Sequence, residues 1–198
     1  MPNRNRDKVL HVSRRELLAY GSTTAIAAAA GLDATTSAAA AKTRFVFANE
    51  SDYDTVDPHA AFDVGRVAVR LNIYDGLMRW QNNPAVLEPW VAESYTISPD
   101  GLTYTFKMRH GVKFHDGTEM KAQDVVYSLD RILAVGKGAA SLFKTMVEPG
   151  AARAVDDYTV EFKLKKPSAI FLSVVPEIHI VNAALVKKNE SGDDWSQA

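Results

Sequence analysis

His110, His115 and Asp116 stand close together in this sequence and carry the side chains best suited to chemistry. Imidazole and carboxylate groups can hold a metal ion or pass protons. Their spacing fits no zinc or metalloprotease pattern. Arg109-His110-Gly111 and Asp116-Gly117 instead read as places where the chain turns, so a hydrolase built on these three residues ranks below turn roles for them. Trp80, Trp90 and Tyr95 offer flat faces for ligand stacking, but packing of a small subdomain is the favoured reading. There is no Gly-rich phosphate loop, no Gly-x-Ser-x-Gly elbow and no carboxylate pair with an identifiable partner. The expectation is a protein with no catalytic residue, metal or cofactor. The sequence has no cysteine, which excludes disulfide and thiolate chemistry. A formal net charge of −1, without a Lys/Arg block, gives no footprint for nucleic acid.

The chemistry at the amino end is of another kind. Arg4, Arg6, Lys8, Arg14 and Arg15 make a basic start, Leu17 to Leu32 runs without a charge, and Ala38-Ala39-Ala40-Ala41 supplies small residues for a signal peptidase. That order reads as a signal peptide over residues 1–41. Ser13-Arg14-Arg15-Glu16-Leu17-Leu18 resembles the twin-arginine export motif, although Leu17 stands where that motif usually has Phe. Arg14 and Arg15 would then be read by the twin-arginine translocase. The uncharged run is about 16 residues of mostly small side chains, short of the ~20 apolar residues of a membrane span. A lipidated cysteine is not available, so the expected product is a soluble periplasmic protein of a Gram-negative cell and not a lipoprotein.

These groups need elements to position them. Arg44 to Asn49 reads as a buried strand and Glu50 to His59 as a polar loop. From Asp63, apolar residues at Val64, Val67, Ala68, Leu71 and Tyr74 predict a helix with Arg66 and Arg70 on its outer face. Asp75-Gly76 ends it before a short strand around Leu77 to Trp80. Ser94 to Ser98 and Leu102 to Arg109 flank Pro99-Asp100-Gly101, a hairpin signature. Leu102, Tyr104, Phe106 and Met108 alternate with polar residues, as do Tyr158, Val160, Phe162 and Leu164 after a turn at Asp156-Asp157. A helix from about Ala122 to Leu133 buries Val125, Val126, Leu129, Ile132 and Leu133. A short helical stretch (Ala169 to Val174), an apolar strand (Ile178 to Val181) and a last helix capped by Asn182 complete an α+β pattern.

Between Leu71 and Arg131 the motifs become specific. Asn72-Ile73-Tyr74-Asp75-Gly76-Leu77, Ala92-Glu93-Ser94-Tyr95, Ser98 to Phe106, Arg109 to Gly117 and Ala122 to Leu129 form an ordered series. With Asp57-Pro58-His59 upstream and Ile180-Val181-Asn182 downstream, it resembles solute-binding protein family 5, the dipeptide, oligopeptide and nickel binders. The resemblance runs from about Arg44 to Lys188. Two departures concern a turn and a cap: Trp80-Gln81-Asn82-Asn83 replaces an acidic, Gly-containing turn, and Lys121 stands where Ser, Thr or Asn often caps a helix.

The resemblance implies a class II periplasmic binding protein (Venus flytrap) fold, here as the N-terminal part of the first lobe within residues 42–198. It includes an opening strand at 44–49 and a small inserted subdomain at about 57–181, with the second lobe absent. It further implies capture of a peptide or peptide-like solute for an ABC permease of the inner membrane. Glu50, Ser51 and Asp52, just after the opening strand, become the candidate ligand contacts, where a carboxylate would pair an amino terminus or a metal complex. A chain lacking the second lobe would bind weakly or not at all. The competing reading is a small periplasmic module that contacts a partner protein and binds no ligand.

Overall fold

In a computed structural model of the chain, the structure describes residues 55–61 and 64–189. The expected signal peptide, the strand at 44–49, and the residues Arg14, Arg15, Glu50, Ser51 and Asp52 lie outside the described residues. Helix α1 (Val64–Ile73) leads into a two-stranded antiparallel ribbon, β1 (Met78–Gln81) with β2 (Val86–Pro89). The turn between them carries Asn82 at φ 68°. Asparagine tolerates that left-handed conformation, which is how this sequence dispenses with a glycine there.

Strands β3 (Ala92–Ile97), β4 (Thr103–Met108), β5 (Ala152–Asp156) and β6 (Thr159–Lys163) form an antiparallel sheet in the order β3-β4-β6-β5. The alternation expected in β4 and β6 is observed, with Tyr104, Phe106, Met108, Val160 and Phe162 buried. On the other face Arg153 and Glu161 pair at 3.1 Å. Pro99-Asp100-Gly101 makes the β3–β4 turn as expected. Asp100 Oδ1 accepts the Leu102 amide at 3.0 Å, and Gly101 supplies φ 69°, which a side chain would resist.

Helix α2 (Ala122–Val135) covers the buried face of the sheet with Val125, Leu129 and Ile132, each fully buried. Helix α3 (Ala140–Lys144) adds Phe143, and the short α4 (Phe171–Val174) inserts Phe171 against Tyr104 and Phe162, with ring centroids 4.8 and 5.9 Å away. A 3₁₀ turn (Val175–Glu177) follows, then α5 (Ala183–Asn189), capped by Asn182 Oδ1 on the Leu185 amide at 3.0 Å. Among the described residues, no helix is long and apolar enough to cross a membrane.

Three expectations need correction. Arg70 is not on the outer face of α1: it is 6% exposed, donating to Ala61 O at 3.0 Å and Glu177 Oε2 at 3.2 Å, while Leu71 is 41% exposed. A half-buried ion-pair partner on the 3₁₀ turn outweighs the apolar spacing. Ile178 to Val181 is buried but joins no strand ladder. Its amides go to single acceptors, Ile180 N to Asp75 O at 2.9 Å and Val181 N to Ser128 Oγ at 3.0 Å. Finally, Trp80, Trp90 and Tyr95 are not enclosed by their packing but remain 47%, 37% and 37% exposed.

Candidate functional site

The turn residues singled out for chemistry do not engage one another but have separate surroundings. His110 lies on the Tyr158 ring with centroids 3.7 Å apart, and His115 is exposed. Asp116 accepts the Thr118 hydroxyl at 2.6 Å, the Thr118 amide at 2.9 Å and Asn182 Nδ2 at 2.9 Å. These hydrogen bonds, that of the Thr118 hydroxyl first, hold its carboxyl below the usual range. Asp116 therefore ties a turn to the cap of α5. Neither histidine is hydrogen-bonded to it, and the described residues contain no cluster able to hold a metal ion.

Trp80 and Trp90 line a cleft of about 650 Å³, open mouth included, between α1, β1 and the 3₁₀ turn. Their ring nitrogens are engaged, Trp80 with Ser173 O at 3.3 Å and Trp90 with Asp75 Oδ1 at 2.6 Å, and Arg79 lies 4.7 Å from the Trp90 ring centre. A second polar group joins Glu119, Lys121 and Tyr158. Glu119 accepts from Gly111 N and Tyr158 OH, both at 2.8 Å, and from Lys121 Nζ at 3.0 Å, so its carboxyl falls to about 2. The Tyr158 hydroxyl, and after it Glu119, raise the lysine, keeping it a cation unsuited to act as a base.

The most organised polar arrangement lies behind residues 55–61, the segment next to the candidate ligand loop. Arg131, 2% exposed on α2, grips Asp57 through two nitrogens at 2.9 Å each, and one of these also reaches His59 Nδ1 at 3.1 Å. His59 Nε2 then donates to His179 O at 2.9 Å, so the ring is neutral, with Nδ1 as acceptor. Burial above all, with the Arg131 charge adding to it, holds His59 down to about 4. His179 is likewise held to about 4, by burial and then by Arg70. Glu177 is shifted the other way, upward through burial, against the pull of Arg70. In front of this seam, Thr55, Val56, Asp57, Pro58 and Ala61 form one wall of a small pocket of about 20 Å³; Arg70 of α1 and Tyr74 just after it lie on the other.

The sequence reading missed this seam. His59 and Arg131 were visible only as parts of motifs, and Arg70 was placed outside. Each pair joins residues 70 or more positions apart, which no local spacing reveals. One signal was available: an arginine on the apolar side of α2, next to Ile132, requires a buried partner.

The comparisons with known proteins follow the same lines. The model for "Bacterial extracellular solute-binding proteins, family 5 Middle" matches residues 86–198. The glutathione-binding protein GsiB of Escherichia coli (strain K12) is 34% identical over 181 residues, covering 89% of this chain and 33% of GsiB. The chain thus spans about a third of the length of the curated relatives it matches. Among solved structures, AgaA from A. tumefacien R10 in complex with agropinic acid aligns with TM-score 0.63 and 32% identity, over 73% of this chain and 29% of AgaA. The periplasmic binding protein DppA from Helicobacter pylori, in complex with peptide STSA, aligns with TM-score 0.59 and 28% identity, over 70% and 30% of the two chains.

Proposed function

Because this chain belongs to family 5 of the bacterial extracellular solute-binding proteins, with their class II periplasmic binding fold, we propose that it is the N-terminal part of a solute receptor for an ABC importer. The observation that carries this reading is the family match over residues 86–198, joined to relatives whose names specify glutathione and a peptide as ligands. The solute is a peptide or a peptide-like compound, held between two lobes that close on it by hinge motion. Residues 57–181 act as the inserted subdomain of the first lobe. Glu50, Ser51 and Asp52 meet the solute, the carboxylates pairing its amino terminus. The partner is a permease of the inner membrane. The chain reaches the periplasm as a soluble protein, through the twin-arginine translocase reading Arg14 and Arg15. Lysines at both positions should then keep a reporter fused to residues 1–41 in the cytoplasm, and undiminished export would remove the twin-arginine route.

The solute reading is tested on the protein carrying both lobes, with glutathione and trialanine as probes in calorimetry and thermal unfolding. A probe at a hundred times its Kd should stabilise the protein by about 2.7 kcal/mol. Glu50→Gln and Asp52→Asn should each weaken binding about ten- to a hundredfold, since a charged hydrogen bond contributes roughly 1.5–3 kcal/mol. If neither probe binds, the peptide reading fails. If binding survives both substitutions unchanged, the loop has no place in the site.

A further inference from the structure

Residues 55–61 are fixed from three directions. From α2, the guanidinium of Arg131 meets both oxygens of Asp57, a geometry that sets distance and angle together. From the segment before α5, His179 O accepts a hydrogen bond from the His59 ring at 2.9 Å, and from just after α1, Tyr74 OH donates to Val56 O at 3.2 Å. The α2–α3 connection backs the segment so closely that a Cβ on Gly138 would stand 2.6 Å from His59 O. The segment also braces itself, with His59 N donating to Asp57 Oδ1 and Asp57 N to Thr55 Oγ1. Burying this bidentate ion pair costs desolvation that only a well-fixed geometry offsets, so the pair fits a segment that must keep one position.

We propose that Arg131 is a positioning residue for solute binding: through Asp57 and His59 it holds the 55–61 wall in place before the solute arrives. The inference rests on the reading above, that Glu50, Ser51 and Asp52, just ahead of this wall in the sequence, meet the solute. Arg131 touches no solute. It removes the ordering cost that a loose wall would impose at the moment of binding, and it does so by its planar fork, which a lysine cannot copy.

The test uses the protein carrying both lobes, with glutathione and trialanine as probes. Arg131→Lys should weaken binding about tenfold and raise amide hydrogen exchange across 55–61 ahead of the sheet. A core truncation on the far side of α2, chosen to lower Tm equally, should leave Kd within about twofold. Asp57→Asn is the second variant should Arg131→Lys not fold, and it should weaken binding in the same direction. The two substitutions together should weaken binding by less than the product of their separate effects. Unchanged Kd in Arg131→Lys or Asp57→Asn, with Glu50→Gln or Asp52→Asn still weakening it, overturns the positioning role alone. Unchanged Kd in all four overturns the solute reading of this segment and the inference with it, as does the failure of both probes to bind the unmodified protein. A loss of affinity matched by the equally destabilised core variant reduces Arg131 to a stabilising residue.

Discussion

Ser128 shows how much one buried hydroxyl can carry. Its Oγ donates to Asp124 O at 2.7 Å, back along α2, and accepts the Val181 amide at 3.0 Å from a segment 53 residues away. The residue is fully buried, so neither bond has water as a substitute. Ser128→Ala keeps the helix and the packing but strands the Val181 amide. A buried donor left without a partner costs about 1–3 kcal/mol. We expect a loss of that size in urea denaturation at pH 7, with the slope unchanged. A loss under ~0.5 kcal/mol would mean that the 178–181 segment is not held here. The same segment explains why sequence reading assigned it a strand. Ile178, Ile180 and Val181 are buried, and β-branched residues in a short apolar run look like a strand. What the run lacks is a neighbouring strand, and a one-dimensional pattern has no means to display that.

At the scale of elements, the parts with a local cause were legible and the parts with a distant cause were not. The β3–β4 hairpin was legible because alternation and the Pro99-Asp100-Gly101 turn act within one stretch of chain. The same holds for the buried stripe of α2 and for Asn182 as a cap. Arg70 was misplaced because its partner, Glu177, sits 107 residues away on the 3₁₀ turn. The candidate contacts Glu50, Ser51 and Asp52 came from family resemblance and have no local geometric signature of their own. Lys121, flagged as a poor cap, is explained by Asp124. That carboxylate accepts the Lys121 amide at 2.9 Å through Oδ2 and the Ala183 amide at 3.1 Å through Oδ1. A single side chain thus caps α2 and takes an amide at the start of α5, both at positive helix ends. Asp124→Ala should therefore cost about 2 kcal/mol, the upper end for a cap. Asp124→Asn, which retains an acceptor, should lose less. Equal losses in chemical denaturation would show that the negative charge, and not the hydrogen bonding, is what α2 and α5 require.

For the molecule as a whole, the buried seam couples three distant stretches of chain to the proton. His59 faces Arg131 and Asp57, with Tyr74 nearby, and His179 faces Arg70 and the Glu177 backbone. Both rings are held to about 4, while an unfolded chain titrates them near 6.5. Between those values the unfolded state binds more protons, so stability must fall as pH drops through that window. Either histidine alone would account for on the order of 3 kcal/mol. The two add through this window, because neither ring carries a proton in the folded state there. Glu177 works in the opposite direction: its carboxyl is raised by burial, so its protonation favours the folded state just above the ordinary carboxyl range. The half-buried Glu119, lowered from 4.5 to about 2, adds acid sensitivity only as pH falls below about 4.5. The sum favours a net loss, because two histidines oppose one carboxyl. Urea denaturation from pH 7 to pH 4 should show stability falling most steeply between about 6 and 4.5, with uptake of between one and two protons on unfolding. His59→Gln should flatten that slope by about half, whatever it does to stability at pH 7. A profile level from pH 6.5 to 5 would mean that both rings are protonated in the folded state, which for His59 the hydrogen bond from Arg131 to its Nδ1 does not allow.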